Sequence, residues 1–262
     1  MSKKNLFEIN LGAKAKPMRA IIMGPSAIGK TTGACEMPNP LLLQVEDGMV
    51  LQTDPNVQNT NLIETYDDFI AWLDHIIEND DFKDRKTLVI DSLDWLENLI
   101  KADVCAKHGK QSIGDFEWGT GYAKATATLD EVFDRLNVLR EQRKMRIVFI
   151  CHAKEQKQEK ADLPVYYKYD LKLGSGFGEK CKEYVDAVLF YNYEVGFVKT
   201  QDDKGSLATK VTQSKDRYLF TQDTVRHYAK NRYNLPEKIK IEKGKFWETL
   251  STEITKAMKG GS

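Results

Sequence analysis

Residues 24–31 read Gly-Pro-Ser-Ala-Ile-Gly-Lys-Thr, between an apolar run at 18–23 and a helical segment that reaches Cys35. The spacing G-x-x-x-x-G-K-[ST] at a strand-to-helix junction leaves a chain few folds to choose from. Gly24 and Gly29 let the backbone wrap so that successive N–H groups face inward, and the start of a helix adds its positive dipole. Such a loop suits phosphate oxygens. Lys30 brings charge to the β and γ phosphates and Thr31 a hydroxyl for Mg²⁺, while Pro25, Ser26, Ala27, Ile28 and Thr32 complete the cradle. The expected ligand is ATP with Mg²⁺.

The rest of the chain alternates strand and helix periods. Strands are expected at 41–46, at 61–64, at 87–90 ending on Asp91, and at 146–151. Between them lie helical stripes: Phe69, Trp72, Leu73, Ile76 and Ile77; then Leu93, Leu96, Ile100 and Val104; then a long helix at 122–143. Four glycines mark 108–121 as an irregular connection. Buried strands joined by helical crossovers require a mostly parallel sheet covered on both faces, so the fold class is α/β. From 185 onward the pattern changes to strands at 185–193, 195–200, 207–212 and 224–229, read as a C-terminal antiparallel extension, before a last helix at 246–258. The chain divides on this reading into an arm at 1–17, an ATPase core at 18–240 and a C-terminal helix and tail at 241–262.

Parallel sheets bind ligands at the carboxyl edge of their strands. Asp91 ends its strand there and is expected to hold Mg²⁺ through water. Glu46 ends the second strand at the same edge and is the expected general base, with Asp47 as its rival. His152 follows the fifth strand, where it could sense the γ phosphate. Asp94, one turn beyond Asp91, is expected to cap its helix or face solvent.

Composition narrows the class further. Lysine plus arginine equals aspartate plus glutamate at 39 each, so no whole-molecule field attracts nucleic acid. Charge is unevenly spread: residues 64–97 carry eleven acids against three bases, and 226–259 nine bases against four acids, which favours head-to-tail stacking. The four cysteines show no C-x-x-C spacing, so neither zinc nor a disulfide framework is expected. No apolar run approaches the roughly 18 residues of a membrane span, and 1–16 lacks a signal-like core, so a cytoplasmic location is expected.

This order of elements resembles the RecA-like ATPase core over about residues 18–235. It is similar above all to compact phage and prophage members grouped as RecA-like single-strand annealing or recombination proteins, which also carry a late K-x-R like that in Lys230-Asn231-Arg232-Tyr233-Asn234-Leu235-Pro236. The resemblance implies a RecA-like P-loop core that hydrolyses ATP between subunits of a homo-oligomer, ring or filament, in the host cytoplasm. It implies Glu46 as base, His152 at the switch position where glutamine is frequent, and Lys230 and Arg232 as cations reaching a neighbour's γ phosphate. It also implies single-stranded DNA as partner, alongside a single-strand-binding protein. The large accessory domains of bacterial RecA are missing, which favours annealing over autonomous strand invasion.

The segment 153–178, directly after the switch residue, carries Lys154, Lys157, Lys160 and Lys168 interleaved with Tyr166 and Tyr167, then three glycines. Cations for phosphates, aromatic faces for bases and flexible glycines together suit single-stranded DNA, and the resemblance places a DNA-contacting loop here. The connection at 108–121, with Lys110, Phe116 and Trp118, could line the same channel. Two rivals stand beside this reading. One is an ATP-switched helicase-loading or protein-binding module. The other is a small-molecule P-loop kinase, disfavoured because 154–178 contains no arginine for a phosphate clamp.

Overall fold

The computed structural model describes residues 16–48, 57–159, 164–201 and 207–260. Strand β1 (Arg19–Gly24) runs into the glycine-rich loop and helix α1 (Lys30–Cys35). There follow β2 (Pro40–Gln44), β3 (Gln58–Asn59), α2 (Tyr66–Glu78), β4 (Thr87–Asp91), α3 (Leu93–Lys107) and α4 (Thr120–Gln142). The second half contains β5 (Arg146–Gln158), β6 (Tyr166–Leu171), α5 (Ser175–Tyr184), β7 (Ala187–Gln201), β8 (Leu207–Phe220), β9 (Lys230–Asn231), β10 (Lys238–Ile241) and α6 (Phe246–Gly260).

The strands form one sheet in the order β10-β8-β7-β1-β5-β4-β2-β3, with β9 pairing β7. From β7 to β3 every pair is parallel, whereas β8 and β10 run antiparallel. This is the mostly parallel α/β sheet with an antiparallel extension that the sequence called for, and it is a P-loop NTPase fold. The pleat explains the unbroken apolar runs. Along β5, Ile147, Phe149 and Cys151 enter one core cluster while Val148 and Ile150 enter the other. The first cluster is covered by α2 to α5; the second, thinner one by α1 and α6, with Phe246 and Leu250 fully buried in it.

Several expectations are corrected. Residues 61–64 form no strand; the short edge strand lies earlier, at β3. The first three of the four short strands expected after 185 are two long ones, β7 and β8, whose register shifts at Tyr193/Val195. Residues 224–229 hold only an isolated bridge between Tyr169 and His227, because Thr224 folds them into a turn by accepting from Arg226 N and His227 N. The segment 153–178 is not an irregular loop. There β5 continues past the sheet and pairs with β6 in a hairpin, and the glycines expected to loosen it sit at the start of α5. The N-terminal arm up to residue 15 lies outside the described residues.

Candidate active site

The end of β1 is packed too closely for any side chain. A Cβ on Gly24 would stand 2.3 Å from the carbonyl oxygen of Tyr191 on β7, so the chain can turn here only as glycine. Gly29 closes the loop in the left-handed region, at φ 97°. Between them the loop wraps around the buried Lys30, whose Nζ donates to the carbonyls of Gly24 (3.2 Å) and Pro25 (2.8 Å). Burial lowers the Lys30 pKa, and the charge of Asp91 opposes that shift. A half-desolvated ammonium held only by carbonyls, at the mouth of a backbone cradle, fits a polyphosphate.

Thr31 and Asp91 are 60 residues apart in sequence and meet across the cleft: the Thr31 hydroxyl donates to Asp91 Oδ2 at 2.6 Å. Burial raises the Asp91 carboxyl, the Thr31 hydrogen bond pulls it down, and the neighbouring Glu46 raises it again. One hydroxyl and one part-buried carboxylate make a partial oxygen shell of the kind Mg²⁺ completes with phosphate and water. Among the described residues no group of three or more His, Cys, Asp and Glu could hold a metal unaided.

Glu46, Asp91, Ser92, Asp94 and His152 converge at the carboxyl edge because β2, β4 and β5 are adjacent and in register, Gln44 against Asp91 and Gly24 against His152. The Glu46 carboxylate accepts from Ser92 Oγ at 2.8 Å and lies 3.9 Å from His152 Nδ1. Asp47 is exposed and carries no such support. Asp94, expected to cap its helix or face solvent, turns inward. It is only 5% exposed and binds His152 twice, accepting from the backbone N–H at 3.2 Å and meeting the ring Nδ1 at 3.0 Å. Burial by itself pushes the Asp94 carboxyl up; the bonds from His152 outweigh it and hold the group below its ordinary range. Sequence reasoning missed Ser92 and Asp94 as partners, although both lie within three residues of Asp91 and therefore at the same edge.

Lys230 and Arg232 are not part of this cluster. β9 pairs Ala187 and Val188 at the start of β7, the edge of the sheet opposite Gly24. Within its own chain the Lys230 ammonium donates to the carbonyls of Lys182 (2.5 Å) and Val185 (2.9 Å), sealing the end of α5. Arg232 remains largely exposed, 3.6 Å from Asp186.

The cations expected to meet DNA are mostly engaged within the chain. Lys154 donates to Leu173 O, Lys157 pairs with Glu159, and Lys168 grips Asp223 at 2.7 Å; Lys160 lies outside the described residues. Tyr167 is exposed and Tyr166 half-buried on the hairpin. In the connection before α4, Trp118 is 97% exposed at a positive φ of 55°, next to Gly119 at φ 70°.

The AAA domain family matches residues 16–233. No curated protein matches the chain. The matched span begins just before β1 and ends beyond β9, taking in the cradle, the Thr31–Asp91 pair and the His152 cluster, and the chain belongs to this AAA-type family of P-loop ATPases.

Proposed function

We propose that this ATPase is a RecA-like phage recombination or annealing protein that hydrolyses ATP between subunits of a ring or filament and couples the nucleotide state to single-stranded DNA in the host cytoplasm. One observation carries the coupling. β5 delivers His152 to the site and runs on without a break to Gln158, into the hairpin with β6 that bears Tyr166 and Tyr167. The return strand is tied to the same spot, since Lys172 N donates to His152 O at 2.8 Å and Lys172 Nζ stands 3.7 Å from Asp94. A displacement of His152 is therefore a displacement of the hairpin.

In the mechanism, Glu46 orients the attacking water and accepts its proton while Ser92 fixes the carboxylate. Lys30 neutralises charge on the β and γ oxygens. Thr31 and Asp91 would hold the Mg²⁺, which supplies charge neutralisation when bound. Asp94 keeps the His152 ring facing this cluster, a positioning task. None of the described helices is long and apolar enough to cross a membrane.

A second reading is favoured by the pairing of Lys154, Lys157 and Lys168 within the chain. Fewer free cations on the hairpin suit a protein partner, as in an ATP-switched helicase loader. ATP turnover measured with and without single-stranded DNA separates the two. Stimulation that falls steeply with salt supports the DNA reading. Turnover indifferent to DNA at low salt would sink it and leave the protein-binding module.

A further inference from the structure

The catalytic carboxylates lie on one flank of the cradle, since β4, β5 and β2 are all on the same side of β1. The other flank is formed by β7 and β8, and from it one arginine reaches the loop. Arg217, opposite Tyr193 on β7 and Ile241 on β10, donates from Nη1 to Ile28 O at 3.1 Å, within the glycine-rich loop and 189 residues away in sequence. Its Nη1 also stands 2.8 Å from where a Cβ on Gly29 would be, so the guanidinium lies against the loop at the second of its two glycines.

Four of the molecule's buried or half-buried arginines are matched to acids, while Arg85 and Arg146, like Arg217, make no ion pair among the described residues. Arg19 and Arg140 share Asp186, Arg135 holds Asp74, and Arg143 holds Asp80. Arg217 makes no ion pair within 4 Å among the described residues; besides Ile28 O it has the Tyr191 ring, 5.8 Å away, and a longer-range attraction to Glu36. A guanidinium has five N–H donors in a planar fork suited to phosphate, and a partly desolvated one with no acid in direct contact has donors to offer an anion. The anion at this loop is the nucleotide.

We infer that Arg217 is a nucleotide-binding residue supplied in cis by the β7–β8 hairpin, and that it contacts the non-transferred phosphates, the part common to ADP and ATP. The position decides which phosphates. The γ phosphate must face Asp91, Glu46 and His152, so a cation on the opposite flank meets the other end of the chain of phosphates. This inference rests on nucleotide binding at the Gly24 loop. It adds a contact that no motif signals, because β8 lies far outside the glycine-rich segment.

The test is equilibrium binding of fluorescent ADP and ATP analogues to the full chain and to Arg217→Gln, Arg217→Lys and Lys30→Ala. Glutamine keeps an N–H for Ile28 O but loses the charge. Arg217→Gln is expected to weaken ADP and ATP alike by roughly tenfold, the loss of a charge-assisted hydrogen bond, with unchanged thermal unfolding in the absence of nucleotide. Arg217→Lys, which keeps the charge, should recover most of the affinity. Unchanged affinities in Arg217→Gln would overturn the inference, as would a loss confined to ATP, which places the cation on the γ phosphate. A lowered melting temperature without nucleotide, not recovered by lysine, would make the residue structural and overturn it too. If Lys30→Ala binds as well as the unaltered chain, the underlying nucleotide reading fails instead, so the two failures are told apart.

Discussion

Asp94 shows how much a single buried carboxylate can govern. It holds both the backbone and the ring of His152, and losing the charge while keeping the shape tests its role directly. Asp94→Asn should lower turnover on the order of tenfold, about 1.5 kcal/mol for one charge-assisted hydrogen bond, with ADP affinity preserved. Steady-state kinetics beside nucleotide titrations would check the split. His227 is a second residue of consequence, buried between the rings of Phe190 and Phe220, with its Nε2 lacking a hydrogen-bond partner. Burial pushes its pKa down from 6.5 to about 4; Asp223 opposes this, while Lys168 and Arg226 add to it. Because the folded value lies below the unfolded one, the unfolded chain takes up the proton first as pH falls. Stability should therefore drop between pH 6.5 and 4, by up to about 3 kcal/mol. His227→Phe should remove that component, measured as urea midpoints across this pH range.

At the scale of elements, α1 is short, and its footing depends on α6. A Cβ on Gly33 would come within 2.5 Å of Phe246 Cδ2, so the two helices touch at a position that tolerates no side chain. Gly33→Val should cost about 1–3 kcal/mol through overpacking, read from denaturant unfolding. It should also weaken ATP binding, since α1 begins at Lys30. The β5–β6 hairpin shows where reading a sequence element by element breaks down. Residues 154–158 are polar and none is fully buried, because this part of β5 has left the sheet and pairs only with β6. Lysines, tyrosines and glycines there resembled a loop in composition. Only the register of the two strands makes them a rigid extension of the switch strand.

Over the whole molecule, one sheet supplies both core clusters, and its central strands contribute side chains to each face. Unfolding should be a single cooperative transition. Deleting residues 246–262 removes Phe246 and Leu250 from the thinner face, at about 4 kcal/mol for two fully buried apolar side chains. Differential scanning calorimetry should show a large fall in melting temperature. If the nucleotide sits between subunits, turnover per chain should rise with protein concentration; a constant value over a hundredfold dilution would contradict the shared site. Arg232 is exposed at the far edge from the loop, whereas the Lys230 ammonium is bound to carbonyls of its own chain.

By itself the sequence determined the cradle, the α/β class and the edge at which Asp91, Glu46 and His152 would gather. Each of these follows from local rules: a glycine spacing, the period of apolar residues, and the geometry that puts strand ends of a parallel sheet together. Tertiary structure alone decided that Asp94 turns inward to His152, that Lys230 seals a helix end, and that Arg217 reaches the loop from β8. Those outcomes depend on strand order and on distances between residues far apart in the chain. A buried charge takes the partner that folding brings near, and nothing in its own neighbourhood of the sequence names that partner.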